Sequence, residues 1–95
     1  MNKYEALYII RSATEEDARK QLIERFAEVV RSNGGEVETT DEWGTKKLAY
    51  PIEKQTDGYY VLVNFNAGST VPTELERNFQ IADEVLRYLV TCRQK

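Results

Sequence analysis

The order in which hydrophobic periodicity changes along the chain restricts the fold more than any other feature. Tyr4 to Ile10 alternates, with Tyr4, Ala6, Tyr8 and Ile10 on one side and Glu5, Leu7 and Ile9 on the other. A period of two sends successive side chains to opposite faces of a strand. Both sides are mostly apolar, which places this strand in the middle of a sheet. Ala18, Leu22, Phe26 and Val29/Val30 then recur at helical spacing, a stripe that predicts a helix over 15–32. Thr14 with Asp17 three residues on predicts a capping box, and Glu15, Glu16 and Asp17 suit the positive end of the helix dipole. Asn33-Gly34 predicts the helix end, where the left-handed conformation costs either residue little.

Gly35 to Ala49 predicts a long second strand. Val37, Thr39, Asp41 and Trp43 share one parity and Leu48 and Tyr50 the other, so a bulge is expected near Gly44. Pro51 is expected to stop strand pairing, and Lys54-Gln55-Thr56-Asp57-Gly58 to form the turn, with Asp-Gly as its signal. Tyr59 to Ala67 alternates again as a third strand, with Tyr59, Val61, Val63 and Phe65 opposite Tyr60, Leu62 and Asn64. Pro72 suits the first turn of a short second helix marked by Leu75, Phe79 and Ala82 and ended by Asp83. Val85 to Thr91 predicts a fourth strand, with Tyr88 and Val90 opposite Arg87 and Leu89.

The resulting order is βαββαβ. Short right-handed connections then favour an α+β, ferredoxin-like sandwich: a four-stranded antiparallel sheet of order 4-1-3-2 with two helices on one face. Tyr8, Ile10, Val61, Val63, Phe65, Tyr88 and Val90 should pack on Leu22, Phe26, Val30, Leu75 and Phe79. A length of 95 residues suits one domain over 1–95.

Several chemistries are disfavoured. The chain has no histidine, the commonest general base and metal ligand. Its one cysteine, Cys92, has no partner for a disulfide or a zinc site. An acyl-phosphate hydrolase would need an anion-cradling loop after the first strand. Arg11-Ser12-Ala13-Thr14-Glu15-Glu16-Asp17 offers one arginine, no glycine and three acids. No enzyme activity, metal or cofactor is expected. No apolar run nears the ~20 residues that cross a bilayer, and the N-terminal stretch lacks a signal-peptide core, so a cytoplasmic location is expected.

The net charge of −3 argues against indiscriminate nucleic-acid binding. Its distribution matters more. The topology sends Arg11, Lys46, Lys47, Lys54 and Arg87 to one sheet edge, which would make a local phosphate-binding patch. Lys46 and Lys47 lie between Trp43 and Tyr50, an interleaving suited to RNA, although a lysine pair is also an ordinary decoration of an edge strand. The sheet face without helices would carry Leu7, Ile9, Tyr60, Leu62, Arg87 and Leu89. So apolar a surface suits a protein partner. A ferredoxin-like protein–protein interaction or metabolite-sensing module is the alternative reading of that face.

The string Trp43-Gly44-Thr45-Lys46-Lys47-Leu48-Ala49-Tyr50-Pro51-Ile52 is long and specific. With Lys3-Tyr4-Glu5, Asn33-Gly34-Gly35, Gly58-Tyr59, Glu74-Leu75-Glu76-Arg77 and Val85-Leu86-Arg87-Tyr88-Leu89-Val90, the chain resembles the bacterial small-subunit ribosomal protein six family over nearly its whole length. The resemblance implies a ferredoxin-like structural protein of the small ribosomal subunit, cytoplasmic and on the ribosome. It would bind 16S ribosomal RNA together with small-subunit protein eighteen during 30S assembly, without catalysis or cofactor. Carried over by position, Lys3, Tyr4, Lys46, Lys47, Lys54, Arg77 and Arg87 are the RNA-side candidates. Leu7, Ile9, Tyr60, Leu62 and Leu89 are the protein-partner candidates, chosen from the bare sheet face. The chain departs from the family at Asn2, where arginine is usual, and at Ser12, a frequent proline. Lys46 and Lys47 replace common arginines, trading a forked donor for a point charge.

Overall fold

Alternation on the two central strands sorts side chains between a helix-covered face and a bare one, and the rest of the fold follows from that sorting. The structure, a computed structural model, describes residues 2–52 and 54–93. Its elements are β1 (Asn2–Arg11), α1 (Glu16–Ser32), β2 (Glu36–Ile52), β3 (Gln55–Ala67), α2 (Val71–Ile81) and β4 (Val85–Cys92). The strands form one antiparallel sheet in the order β2-β3-β1-β4, the expected 4-1-3-2 read from the other side. The fold is the ferredoxin-like sandwich.

The core lies between sheet and helices. Tyr8, Ile10, Val61, Val63 and Phe65 meet Leu22, Phe26, Val30, Leu75 and Phe79, all buried. The Tyr8 ring centroid lies 5.1 Å from that of Phe26 and 4.9 Å from that of Phe79. Each large apolar side chain removed from water contributes about 1.5–3 kcal/mol. Tyr88 and Val90 are half-buried and flank this core.

Three local expectations need correction. The capping box does not form: Glu15, extended at φ −62 and ψ 152, precedes the helix and makes no side-chain cap. Thr14 instead closes a turn, its backbone N–H donating to the Arg11 carbonyl at 3.1 Å. Pro51 does not end β2, which continues to Ile52. Residues 48–51 fall where the β2–β3 register is irregular, and β2 is an edge strand, where a missing N–H is tolerated. Asp57-Gly58 is not the turn either. Asp57 pairs with Lys47 and Gly58 with Lys46 inside β3, and the chain reverses between Ile52 and Gln55, with Lys54 at φ +68. Glycine at 58 answers a close approach instead: a Cβ there would lie 2.3 Å from Ile9 Cγ2. The bulge at Gly44 is present, with φ +89 and a register shift between Glu42 and Gly44.

Candidate nucleic-acid interface

Register aligns the bare face in rows. Leu62, Leu7 and Leu89 stand opposite one another on β3, β1 and β4. The next row runs Gly44, Tyr60, Ile9 and Arg87 across all four strands. With strands about 4.8 Å apart, that row spans about 14 Å.

Each end of the second row carries a cation against an aromatic ring. On the β2 side the Trp43 indole lies nearly parallel to the Tyr60 ring, with centroids 6.2 Å apart and planes at 11°. Trp43 Nε1–H donates to Asp41 Oδ2 at 3.2 Å, and Lys46 Nζ sits 5.0 Å from the indole centroid. On the β4 side the Arg87 guanidinium lies 5.4 Å from the Tyr50 ring centroid and donates to the Tyr50 hydroxyl at 2.6 Å. An exposed cation–aromatic contact contributes about 0.5–1 kcal/mol.

Tyr50 belongs to β2 and Arg87 to β4, and two strands separate them. The last part of β2 therefore crosses the bare face. Leu48 becomes buried there, and Ile9, expected on an open surface, is only 7% exposed. Ile9, Leu48, Tyr50, Tyr60 and Arg87 line one cleft of about 160 Å³. Leu7, Leu62 and Tyr60 are half-buried, and Leu89 stands 60% exposed.

The basic residues divide into groups. Lys46 and Arg11 both stand opposite Gly58, on β2 and β1, and Lys47 follows opposite Asp57. Arg87 lies one row away, and Lys54 occupies the nearby chain reversal. Arg11 is engaged, its Nε–H donating to the Asp83 carbonyl at 3.0 Å. Lys3 lies at the other end of β1, about 26 Å away along the strand, opposite Asn66 and 3.9 Å from a Glu38 carboxylate oxygen. Arg77 lies on α2, in the helix layer, 3.7 Å from Glu74. Tyr4, also an RNA-side candidate, lies on the helix-covered face of β1. It shares the parity of Tyr8, is 9% exposed, and stacks on Phe65 with centroids 5.5 Å apart.

At the helix-side edge the Tyr59 hydroxyl donates to Glu42 Oε1 at 2.7 Å, with the Arg19 guanidinium 4.0 Å from its ring centroid. The hydrogen bond to the carboxylate, followed by partial burial, holds the Tyr59 pKa above the usual phenol value. Burial, and secondarily the Glu42 charge, pushes the Tyr8 hydroxyl up further. Among the described residues no three His, Cys, Asp or Glu side chains gather to hold a metal ion. The surface offers fixed cations, aromatic faces and an apolar row, which suit binding.

The Trp43–Tyr60 stack and the Tyr50–Arg87 contact are not legible in the sequence. The first joins residues of two different strands, β2 and β3, and no local spacing signals it. The second depends on the path of β2 across the face, which no local pattern encodes.

Fold and surface together define a small ferredoxin-like protein with a partly uncovered sheet face. The family model of ribosomal protein S6 matches residues 3–91, and the chain belongs to that family. It is 48% identical to small ribosomal subunit protein bS6 of Alkaliphilus oremlandii over 95 residues, covering 100% of each chain. It is 53% identical to that of Thermoanaerobacter pseudethanolicus over 90 residues, covering 95% of each. The crystal structure of 30S ribosomal protein S6 from Thermotoga maritima superposes with a TM-score of 0.92 at 27% identity, covering 97% of this chain and 87% of that one. The C-terminal domain of the MgtC protein from Mycobacterium tuberculosis, at 13% identity, TM-score 0.67 and coverage of 99% and 89%, shares the fold alone. Family membership makes the chain a structural protein of the small ribosomal subunit, located on the ribosome in the cytoplasm.

Proposed function

We propose that this chain binds 16S ribosomal RNA together with small-subunit protein eighteen and acts in 30S assembly by contact, without catalysis or cofactor. One observation carries the reading: a row with a cation–aromatic pair at each end adjoins an apolar row on the same sheet face. Phosphates attract the cations, and apolar side chains attract a protein. Lys46, Lys47, Lys54 and Arg87 form the main RNA side in this reading. Lys3 and Arg77 make separate phosphate contacts, and Tyr4 supports β1 from within the core. Leu7, Leu62 and Leu89, with Tyr60, form the partner side. Ile9 backs them from beneath the crossing segment. Residues 1–95 act as one domain, since one core cluster draws on the sheet and both helices.

The net charge of −3 makes RNA binding by the chain alone weak, so the partner should raise it. The test is retention of 16S ribosomal RNA with and without protein eighteen across a salt series. Log affinity falls with log salt by about 0.7–0.9 for each phosphate neutralised. Partner-dependent binding with a slope of about −3 or steeper fits four or more contacts. Binding that is absent with the partner present, or insensitive to salt, would refute the proposal.

A further inference from the structure

We infer that the Trp43 indole is a stacking platform for an unpaired base of the bound RNA, with Lys46 placed on the adjoining phosphate. This rests on the RNA-binding reading and adds a contact that charge alone does not require. Trp43 is 40% exposed and lies outside the core cluster, so burial does not account for so large a ring there. Its orientation is nonetheless fixed, by the parallel Tyr60 ring and by the Nε1–H bond to Asp41. Gly44 at φ +89 turns the strand beside it. A ring already held in place loses little freedom when a base stacks on it.

The charges favour a nucleotide over an apolar protein segment. Lys46 Nζ lies 5.0 Å from the indole centroid. An apolar partner seated on this ring would have to desolvate that ammonium without pairing it. A nucleotide supplies a base for the ring and a phosphate for the amine. The Asp41 carboxylate sits at the Nε1 edge of the ring, where it repels phosphate and directs the backbone toward Lys46. Stacking needs only the π-face common to all bases, so the platform selects unpaired nucleotides rather than a particular base.

The chain has one tryptophan, which makes the inference directly measurable. The full chain with protein eighteen is titrated with 16S ribosomal RNA. Filter retention reports binding, while tryptophan emission and its quenching by iodide report on the ring, with the Trp43→Phe complex as background. RNA should shift the emission and protect the ring from iodide. Trp43→Ala should weaken binding by about 5- to 150-fold and leave the salt slope unchanged. Trp43→Phe, which keeps an aromatic face, should lose less. Lys46→Ala should reduce the slope by about 0.7–0.9. Retained RNA with unchanged emission and accessibility overturns the platform and leaves the RNA-binding reading standing. So does full affinity in Trp43→Ala. Protection by protein eighteen alone assigns the ring to the protein interface and also overturns it. No retention of RNA by the unaltered complex overturns both readings.

Discussion

Replacing Tyr8 by phenylalanine should stabilise the protein. The Tyr8 side chain is fully buried, packed against Phe26 and Phe79. Its hydroxyl oxygen, buried with it, has no hydrogen-bond partner among the described residues. A buried polar group left unpaired costs about 1–3 kcal/mol in lost hydration. Removing the hydroxyl relieves that cost and keeps the ring. The void created is about 10–15 Å³, the space of one water probe. At about 24 cal/mol per Å³ it costs about 0.3 kcal/mol. The net gain is about 1–2 kcal/mol, or roughly 5–10 °C in Tm for a domain of this size. Urea and thermal melts followed by circular dichroism measure both.

The same substitution carries a pH signature. Burial raises the folded-state pKa of Tyr8 above its unfolded value near 10. Below about pH 10 both states hold the proton and stability is independent of it. Above that, the unfolded chain releases the proton while the folded chain keeps it. Stability of the unaltered protein then falls by up to about 1.4 kcal/mol per pH unit from this group. Tyr8→Phe lacks the group, so its advantage should be constant between pH 7 and 9 and should widen from pH 10 to 11. Tyr59, raised in the same direction by Glu42, is present in both proteins and cancels. A variant that is less stable than the parent, or a difference that stays flat through pH 11, would show that the hydroxyl is not an unpaired buried group.

Other perturbations address the sheet and the surface. Gly58→Ala puts a Cβ 2.3 Å from Ile9 Cγ2 and should cost about 1–3 kcal/mol by overpacking; the urea midpoint should drop and recover partly when Ile9→Ala is added. Tyr50→Phe removes the acceptor of the 2.6 Å bond from Arg87. Amide exchange in residues 47–50 and at Ile52 should quicken while global stability changes by less than about 1 kcal/mol; unaltered exchange there would mean that the crossing segment is held by other contacts. Lys46→Ala with Lys47→Ala should reduce the salt slope of partner-dependent RNA binding by about 1.4–1.8, and an unchanged slope would remove both residues from the RNA side.

What could be read from sequence followed from how tightly periodicity and burial are coupled. Tyr8, Val61 and Phe65 occupy core positions because alternation leaves a strand residue only two directions. The parity change between Trp43 and Leu48 located the bulge, since a strand cannot change sides without an extra residue. The failures share another cause: a residue type with more than one use. Glycine after aspartate signals a turn, yet Gly58 is small because Ile9 approaches it, and adjacent residues give no warning of a contact made from β1. Thr14 has the chemistry of a cap but lies one residue too early, since the helix begins at Glu16.

The path of β2 bears most on the site. Its crossing takes Ile9 out of solvent and sets Tyr50 beside Arg87. One displacement therefore narrows the apolar surface and organises the cationic one. The exposed apolar area that remains is centred on Leu89 of β4, with Leu7 and Leu62 half-buried beside it. A protein partner using this row is thereby shifted toward the β4 edge. The Trp43–Lys46 pair stays accessible at the β2 edge, about three strand spacings away. In the proposed reading the cations at the two ends of the Gly44–Arg87 row, Lys46 and Arg87, take phosphates of one RNA, and the protein partner takes the adjoining row of Leu62, Leu7 and Leu89.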